Sequence, residues 1–145
     1  MIPYPGKIFS LDWGERRIGL AVSDEMQIIA TPLTTLLRRA GKRFPMPEFM
    51  DLAAAHHPVG IIVGLPLTSS GDDSPATVAA RELAQLVAHR TELPVELVDE
   101  RMTTARALTT IRAAGGSTRG RKADIDSLAA AILLQNWLEG RRSAR

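Results

Sequence analysis

The sequence has 145 residues, of which 45% are hydrophobic and 23% are charged, and its formal net charge at pH 7 is +2. This balance excludes a largely disordered chain and fits one globular domain with its own apolar core. Cysteine is absent, which excludes disulfides, thiolate metal sites and cysteine nucleophiles. No apolar stretch approaches the ~20 residues of a membrane-spanning helix, and no export signal is recognised, so we expect a cytoplasmic protein without a membrane partner.

The N-terminal part of the chain predicts three short strands. Apolar or alternating runs cover 7–12, 17–23 and 27–31, and turn residues separate them at 13–16 and at Asp24. Two hairpins in succession indicate an antiparallel meander.

The rest of the chain predicts helices that alternate with two further strands. Proline or polar residues at helix starts and glycine or proline at helix ends predict four helices, and short apolar runs predict the strands. Helices are expected over 47–56 and 74–90, from Thr103 or Thr104 to a stop at Gly115-Gly116, and from Asp124 or Asp126 to Gly140. The strands are expected over 59–63 and 95–98. The order β-β-β-α-β-α-β-α-α predicts an α/β fold with a mixed five-stranded sheet, in which the meander precedes parallel strands, flanked by helices.

Three groups of acidic residues lie where elements end or begin. Asp12 ends the first strand, Asp99 and Glu100 follow the last strand, and Asp124 and Asp126 open the last helix. The carboxyl ends of parallel strands line the functional crevice of an α/β sheet, so we expect one carboxylate of each group to meet there. Such carboxylates repel one another unless a cation joins them, and their oxygens suit Mg²⁺ or Mn²⁺. Each group alone could instead be a turn, a strand end or a helix cap.

Basic residues form three clusters that contain no acid, a pattern that favours a nucleic acid backbone as partner. The clusters are Arg38, Arg39, Lys42 and Arg43; Arg112, Arg119, Arg121 and Lys122; and Arg141, Arg142 and Arg145. One cluster alone could equally be a solvated loop or tail. We expect a single domain over 1–140 and a basic C-terminal tail over 141–145.

Four blocks span nearly the whole chain: LDWGERRIGLAVSD at 11–24, VGLPLTSSGDDSPAT at 63–77, VDERMTTARA at 98–107 and DIDSLAAAILLQNWL at 124–138. In this order they resemble the blocks of the YqgF family of Holliday-junction resolvases and pre-16S ribosomal RNA nucleases. The resemblance implies a ribonuclease H-like fold with a three-acid active site. Carried over position by position, it implies that Asp12, Glu100 and Asp126 are the catalytic acids and metal ligands. The departure from the family pattern is small, a bulky Trp13 between Asp12 and Gly14.

Residues beside these acids are candidate substrate contacts. Gly14 permits close approach of a phosphate to the backbone, or serves only the turn. Arg17 and Arg101 adjoin acidic positions, where they would hold a phosphate, orient a carboxylate or form a structural ion pair. The other candidates lie in a basic loop before the last helix: Arg119, Arg121 and Lys122.

These features predict a metal-dependent endonuclease that hydrolyses phosphodiester bonds in structured nucleic acid with Mg²⁺ or Mn²⁺. The resemblance allows trimming of the 5′ end of pre-16S rRNA or resolution of branched DNA, and the latter would need a homodimer. One alternative is a nucleic-acid-binding module without a catalytic metal. A second is a nucleotide-binding protein, because Asp12-x-Gly14 also resembles the phosphate loop of actin-like ATPases and sugar kinases, although that fold usually needs two copies of the domain.

Overall fold

The computed structural model describes residues 1–39, 43–67, 70–100 and 122–144, the last of these with side chains from residue 125 onward. The helix predicted over 103–116 lies outside these residues. The described elements, in chain order, are β1 (Ile8–Asp12), β2 (Arg17–Ser23), β3 (Ala30–Leu37), α1 (Met46–His56), β4 (Gly60–Leu65), α2 (Pro75–Thr91), β5 (Val95–Asp99) and α3 (Lys122–Ala144).

The strands form one mixed sheet in the order β3-β2-β1-β4-β5. β1 pairs with β2, and β2 with β3, in antiparallel fashion, which is the expected meander. β1 and β4, and then β4 and β5, pair in parallel. The predicted architecture, a meander followed by parallel strands with flanking helices, is confirmed.

The position of the third strand was predicted wrongly, at 27–31, because a side chain diverts the backbone there. Asp24 Oδ1 accepts hydrogen bonds from the backbone N–H groups of Ile28 and Ile29, at 2.8 and 2.9 Å. These bonds hold a turn, and β3 begins only after it. Pro32, which has no N–H to donate, is tolerated because β3 lies at the edge of the sheet.

The start of α2 agrees with its sequence signals. Ser74 Oγ accepts a hydrogen bond from the Thr77 N–H, and Thr77 Oγ1 accepts one from the Ser74 N–H. This reciprocal capping box satisfies backbone donors that the first turn of a helix leaves without partners. Pro75 occupies the first turn, where its missing N–H has no cost.

The last helix is longer than predicted: it starts at Lys122 and passes through Gly140 to Ala144. The first four residues of the expected tail are therefore helical. Arg141 donates hydrogen bonds to the backbone carbonyl of Ile2 and to Gln27 Oε1, the latter at 3.0 Å. These contacts with the start of the chain favour a helix that continues beyond the glycine, whose own cost in a helix is only about 1 kcal/mol.

The sheet separates two apolar cores. One core lies between the sheet and helices α1 and α2, and its largest residues include Phe9, Leu11, Ile18, Leu20, Phe49, Ile61, Val63 and Leu83. The other lies under α3 and includes Ile2, Ile8, Ala21, Ile62, Ala130, Leu133, Leu134 and Leu138. Within the described ranges, no helix has the length and apolar character needed to cross a membrane.

Candidate active site

Asp12 and Glu100 lie on the face of the sheet that α3 covers. Side chains alternate between the two faces of a strand, so Asp12 shares its face with Ile8, which belongs to the core under α3. Val98 of β5 packs against the same core, and Glu100 is two residues further along. Asp12 and Glu100 are each only 1% exposed, whereas Asp99 is exposed. Glu100, the residue implied by the family resemblance, is thus the member of the Asp99–Glu100 pair that turns inward.

The two carboxylates meet beside Gly64. A Cβ atom placed on Gly64 would lie 2.8 Å from Glu100 Oε2 and 3.6 Å from Asp12 Oδ1. The two oxygens are therefore no farther apart than the sum of these distances. The strand predicted over 59–63 in fact continues through Leu65, so Gly64 is a strand residue whose missing side chain leaves room for the acids.

Asp126 is brought to the same region by Gly19. Gly19 of β2 pairs directly with Asp12 of β1. A Cβ atom on Gly19 would lie only 1.9 Å from the backbone oxygen of Asp126, so a glycine is required for α3 to approach the sheet this closely. Gly19 was not predicted to be a site residue. The sequence does contain a signal for it: a glycine inside an apolar strand, paired in a hairpin with an acid, often marks the close approach of another backbone.

The side chain of Asp126 is fully buried and forms an ion pair with Arg17. Arg17 Nε donates a hydrogen bond to Asp126 Oδ2 at 2.8 Å, and the two residues are 109 positions apart in the sequence. The side chain of Arg17 is 25% exposed. Of the roles expected for Arg17, the structure therefore displays contact with a carboxylate of the site.

The donor atoms of this region suit a hard divalent cation. Carboxylate oxygens are preferred ligands of Mg²⁺ and Mn²⁺, and Mg²⁺ is commonly held by one or two carboxylates together with water and substrate phosphates. Asp12 and Glu100 provide such a pair, with space beside Gly64. In the described part of the chain, no three Asp, Glu or His side chains are gathered closely enough to hold one ion together. The pair thus fits a cation, whereas Asp126 lies at the same edge but contacts Arg17.

The loop that follows Asp12 is held by an arginine at the end of β3. The Arg38 guanidinium lies 5.1 Å from the centre of the Trp13 ring, and Arg38 Nη1 donates a hydrogen bond to the Glu15 carbonyl at 2.6 Å. Gly14 within this loop is buried. Arg38 was grouped with residues expected to contact a polyanion, but its observed contacts fix the loop beside the site.

Most of the other predicted substrate contacts lie outside the described residues. Arg101, Arg119 and Arg121 lie outside the described residues, as do the side chains of Lys122 and Asp124. Arg142, from the third basic cluster, donates hydrogen bonds to the backbone carbonyls of Gln27 and Ile28. This arginine is therefore engaged in holding the chain together.

The chain matches a known protein family over most of its length. A family model described as "RuvX: Holliday junction resolvase" matches residues 6–140. A protein of Clavibacter sepedonicus is 40% identical over 139 residues, which cover 96% of this chain and 86% of that protein. A protein of Koribacter versatilis is 42% identical over 136 residues, with coverages of 94% and 88%. Both relatives are named "Putative pre-16S rRNA nuclease".

Among solved structures, the fold is similar to that of T. thermophilus RuvC in complex with a Holliday junction substrate. The TM-score is 0.54 at 13% sequence identity, and the match covers 95% of this chain and 96% of that one. This likeness shows that the fold is shared and confirms the fold class expected from the sequence.

Proposed function

Because this chain belongs to the family described as RuvX, Holliday junction resolvase, and is a nuclease, we propose that it is a metal-dependent endonuclease acting on structured nucleic acid. We assign Asp12, Glu100 and Asp126 as the catalytic acids and as ligands of Mg²⁺ or Mn²⁺. The observation that carries this assignment is the approach of two buried carboxylates, Asp12 and Glu100, beside Gly64. Such proximity is unfavourable for two negative charges and becomes favourable when a cation lies between them.

The scaffold supports hydrolysis by fixing these groups before substrate arrives. Asp12 is on the central strand β1, Glu100 directly follows β5 at the edge of the sheet, and Asp126 is on a helix, so regular elements set the position of each acid. When bound, a divalent ion supplies charge stabilisation to the phosphate and to its leaving oxygen. Arg17 is 25% exposed beside the acids and is our candidate for contact with a phosphate at the rim. Gly14, Arg101, Arg119, Arg121 and Lys122 complete the proposed substrate contacts.

Precursor rRNA is the substrate favoured by the names of relatives that are 40% and 42% identical. Branched DNA is a second candidate, supported by the description of the family. Cutting two strands of a junction symmetrically requires two active sites, and we therefore propose a homodimer if DNA is the substrate. The mass of the chain in solution tests this, since a strict monomer would count against the junction. Either substrate would be met in the cytoplasm, the location we propose.

The decisive experiment compares the wild-type chain with Asp12→Asn on two labelled substrates, a 5′-extended 16S rRNA precursor and a four-way DNA junction. With Mg²⁺ or Mn²⁺ present, we expect cleavage to fall by about three orders of magnitude or more, because the variant loses a charged metal ligand. The melting temperature should remain close to that of the wild type. Mapping the cuts identifies the substrate.

Asp51→Asn is the matched control, since Asp51 is an exposed acid of α1, on the other side of the sheet. It should cleave at the wild-type rate. Full activity of Asp12→Asn would defeat the proposal. Binding of nucleic acid that persists in a chelator, with no cleavage under any metal, would favour a binding module, and detectable ATP binding would revive the nucleotide-binding alternative.

A further inference from the structure

We propose that Arg17 is an internal counter-ion that holds Asp126 until a divalent cation binds, so that the Arg17–Asp126 ion pair and the cation compete for one carboxylate. This inference rests on the proposed function, because it assumes a cation beside Asp12 and Glu100. It goes beyond that function by giving Arg17 a role in the folding and loading of the site.

The burial of the two partners is unequal. Asp126 is fully buried, whereas a quarter of the Arg17 side chain is exposed. A buried carboxylate is strongly destabilising when it has no compensating charge, and Arg17 Nε supplies such a charge at 2.8 Å from Oδ2. Because Arg17 lies partly in solvent, its guanidinium can leave the carboxylate at a smaller cost than Asp126 would incur by moving into water.

Three acidic side chains are buried between the sheet and α3. Asp12, Glu100 and Asp126 are each at most 1% exposed. Like charges held close together disfavour one another in a poorly solvated region. A divalent cation bound among them would reduce this mutual repulsion, whereas the positive charge of Arg17 beside Asp126 opposes its entry.

The arrangement of the acids shows what the cation must displace. Asp12 and Glu100 meet beside Gly64, but the described residues contain no ready cluster of three ligands. The close contact with Gly19 fixes the backbone at Asp126. In this proposal the Arg17 guanidinium moves towards solvent, and the Asp126 carboxylate then turns towards the other two acids.

If the two compete, removing the Arg17 charge should lower the stability of the metal-free protein but raise its affinity for the cation. Replacing Arg17 by a neutral residue removes the ion pair of a fully buried carboxylate, so the metal-free protein should be less stable. The same change removes a positive charge and an ion pair that the incoming cation must break, so cation binding should be tighter. An arginine that merely orients Asp126 for the metal would give weaker binding when it is removed.

The test uses the full chain as wild type, Arg17→Gln, Arg17→Lys and the control Arg81→Gln. Arg81 pairs with Asp73, but both side chains are largely exposed, at 45% and 56%. We measure Mn²⁺ binding by calorimetry and the melting temperature in a chelator and in saturating Mn²⁺. Arg17→Gln should bind Mn²⁺ about tenfold more tightly than wild type and melt roughly 5–10 °C lower in the chelator. The rise in melting temperature on adding Mn²⁺ should exceed that of the wild type.

Two control variants show whether the positive charge of Arg17, rather than the loss of any surface arginine, accounts for the effects. Arg17→Lys keeps the positive charge and should remain close to the wild type in Mn²⁺ affinity, whereas Arg81→Gln should change neither affinity nor melting temperature measurably. If Arg17→Gln does not fold in the chelator, the double variant Arg17→Gln/Asp126→Asn, which removes both charges, should recover the fold. Failure of the double variant to recover it would overturn the inference.

Unchanged or weaker Mn²⁺ binding by Arg17→Gln would also overturn the inference, and in that case a wild type that binds Mn²⁺ and cleaves would leave the proposed function intact. A wild-type chain that neither binds Mn²⁺ nor cleaves would remove the proposed function and this inference together. The two failures are therefore distinguishable by the wild-type measurements alone.

Discussion

The two faces of the sheet differ in chemistry although the same strands supply both. Towards α1 and α2, β1 presents Phe9 and Leu11, which are fully buried in an apolar core. Towards α3, the same strand presents Ile8, then Ser10 and finally Asp12. One face is thus apolar along its length, and the other changes from apolar to polar as it approaches the candidate active site. Because successive side chains of a strand point to opposite faces, β1 supplies apolar residues to the core on one face and Asp12 to the candidate active site on the other.

Ser10 marks the boundary on the polar face. Its Oγ is buried and, among the described residues, has no hydrogen-bond partner. A buried hydroxyl without a partner costs free energy that an apolar residue at the same position would avoid. Polar residues on this face of β1 therefore begin at Ser10, two positions before Asp12. On the opposite face, Phe9 and Leu11 are both apolar.

The comparison predicts that substitutions on the apolar face damage stability and spare chemistry. Phe49 of α1 is fully buried and its ring lies 5.9 Å from that of Phe9, in an edge-to-face arrangement. Phe49→Ala should lower the free energy of unfolding by about 3–5 kcal/mol, because it opens a large cavity. Denaturant unfolding measures this loss. At a temperature where the variant is folded, its cleavage rate should stay within a few-fold of wild type, and a larger fall would break the separation of the two faces.

A substitution on the polar face should give the reverse result. In Gly64→Ala the new methyl group would lie 2.8 Å from Glu100 Oε2 and 2.9 Å from Leu133 Cδ2, so at least one of them must shift. We expect cleavage to fall about a hundredfold, since small misplacement of a ligand is costly, with a loss of stability of only about 1–3 kcal/mol. A single-turnover cleavage assay and a thermal melt measure the two effects.

Gly140→Ala is the matched control for that experiment. No atom lies within 4 Å of a Cβ placed on Gly140, which is an exposed residue inside α3. The same glycine-to-alanine change should there raise stability by about 0.5–1 kcal/mol and leave cleavage unchanged. Equal loss of cleavage in both variants would mean that α3 as a whole, rather than the space beside Gly64, governs activity.

The smallest expected change in stability concerns Asp24, in the turn between β2 and β3, which belongs to neither face of the sheet. Burial opposes ionisation of Asp24, but the hydrogen bonds from the Ile29 and Ile28 N–H groups outweigh it and lower the pKa of the Asp24 carboxyl. A lowered pKa stabilises the fold above the pKa of the unfolded chain, and this stabilisation is lost as the pH falls through the folded-state pKa.

Asp24→Asn should therefore reduce the free energy of unfolding by less than about 1 kcal/mol at neutral pH, and the difference from wild type should vanish in acid. Urea unfolding at a series of pH values measures it. Cleavage should not change. A difference that persists in strong acid would show that the carboxylate charge is not its source.

Much of the fold could be predicted because its signals are local in sequence. The hairpin from β1 to β2 and the Ser74 cap depend on residues within a few positions of one another. Strand alternation also favoured a single member of the Asp99–Glu100 pair. β3 was misplaced because the pattern of apolar residues does not reveal that Asp24 binds two backbone N–H groups ahead of it.

The site itself depends on contacts that no local pattern contains. The role of Gly19 follows from the approach of a helix whose contacting residue is more than a hundred positions away. The partner of Arg17 is 109 positions away. Gly140 resembled a helix end because the contacts of Arg141 with the first residues of the chain are invisible in the sequence. Composition and motifs therefore suggested the acids, and only the tertiary structure related them to these supporting residues.

The wide separation of Asp12 and Asp126 along the chain has a consequence for protein synthesis. A polypeptide still attached to the ribosome after β5 has emerged carries two of the proposed acids, but it has neither α3 nor the third. The complete set of three acids therefore forms only after α3 has been synthesised. A chain that ends before α3 lacks one of the proposed acids, and we therefore expect it not to cleave nucleic acid.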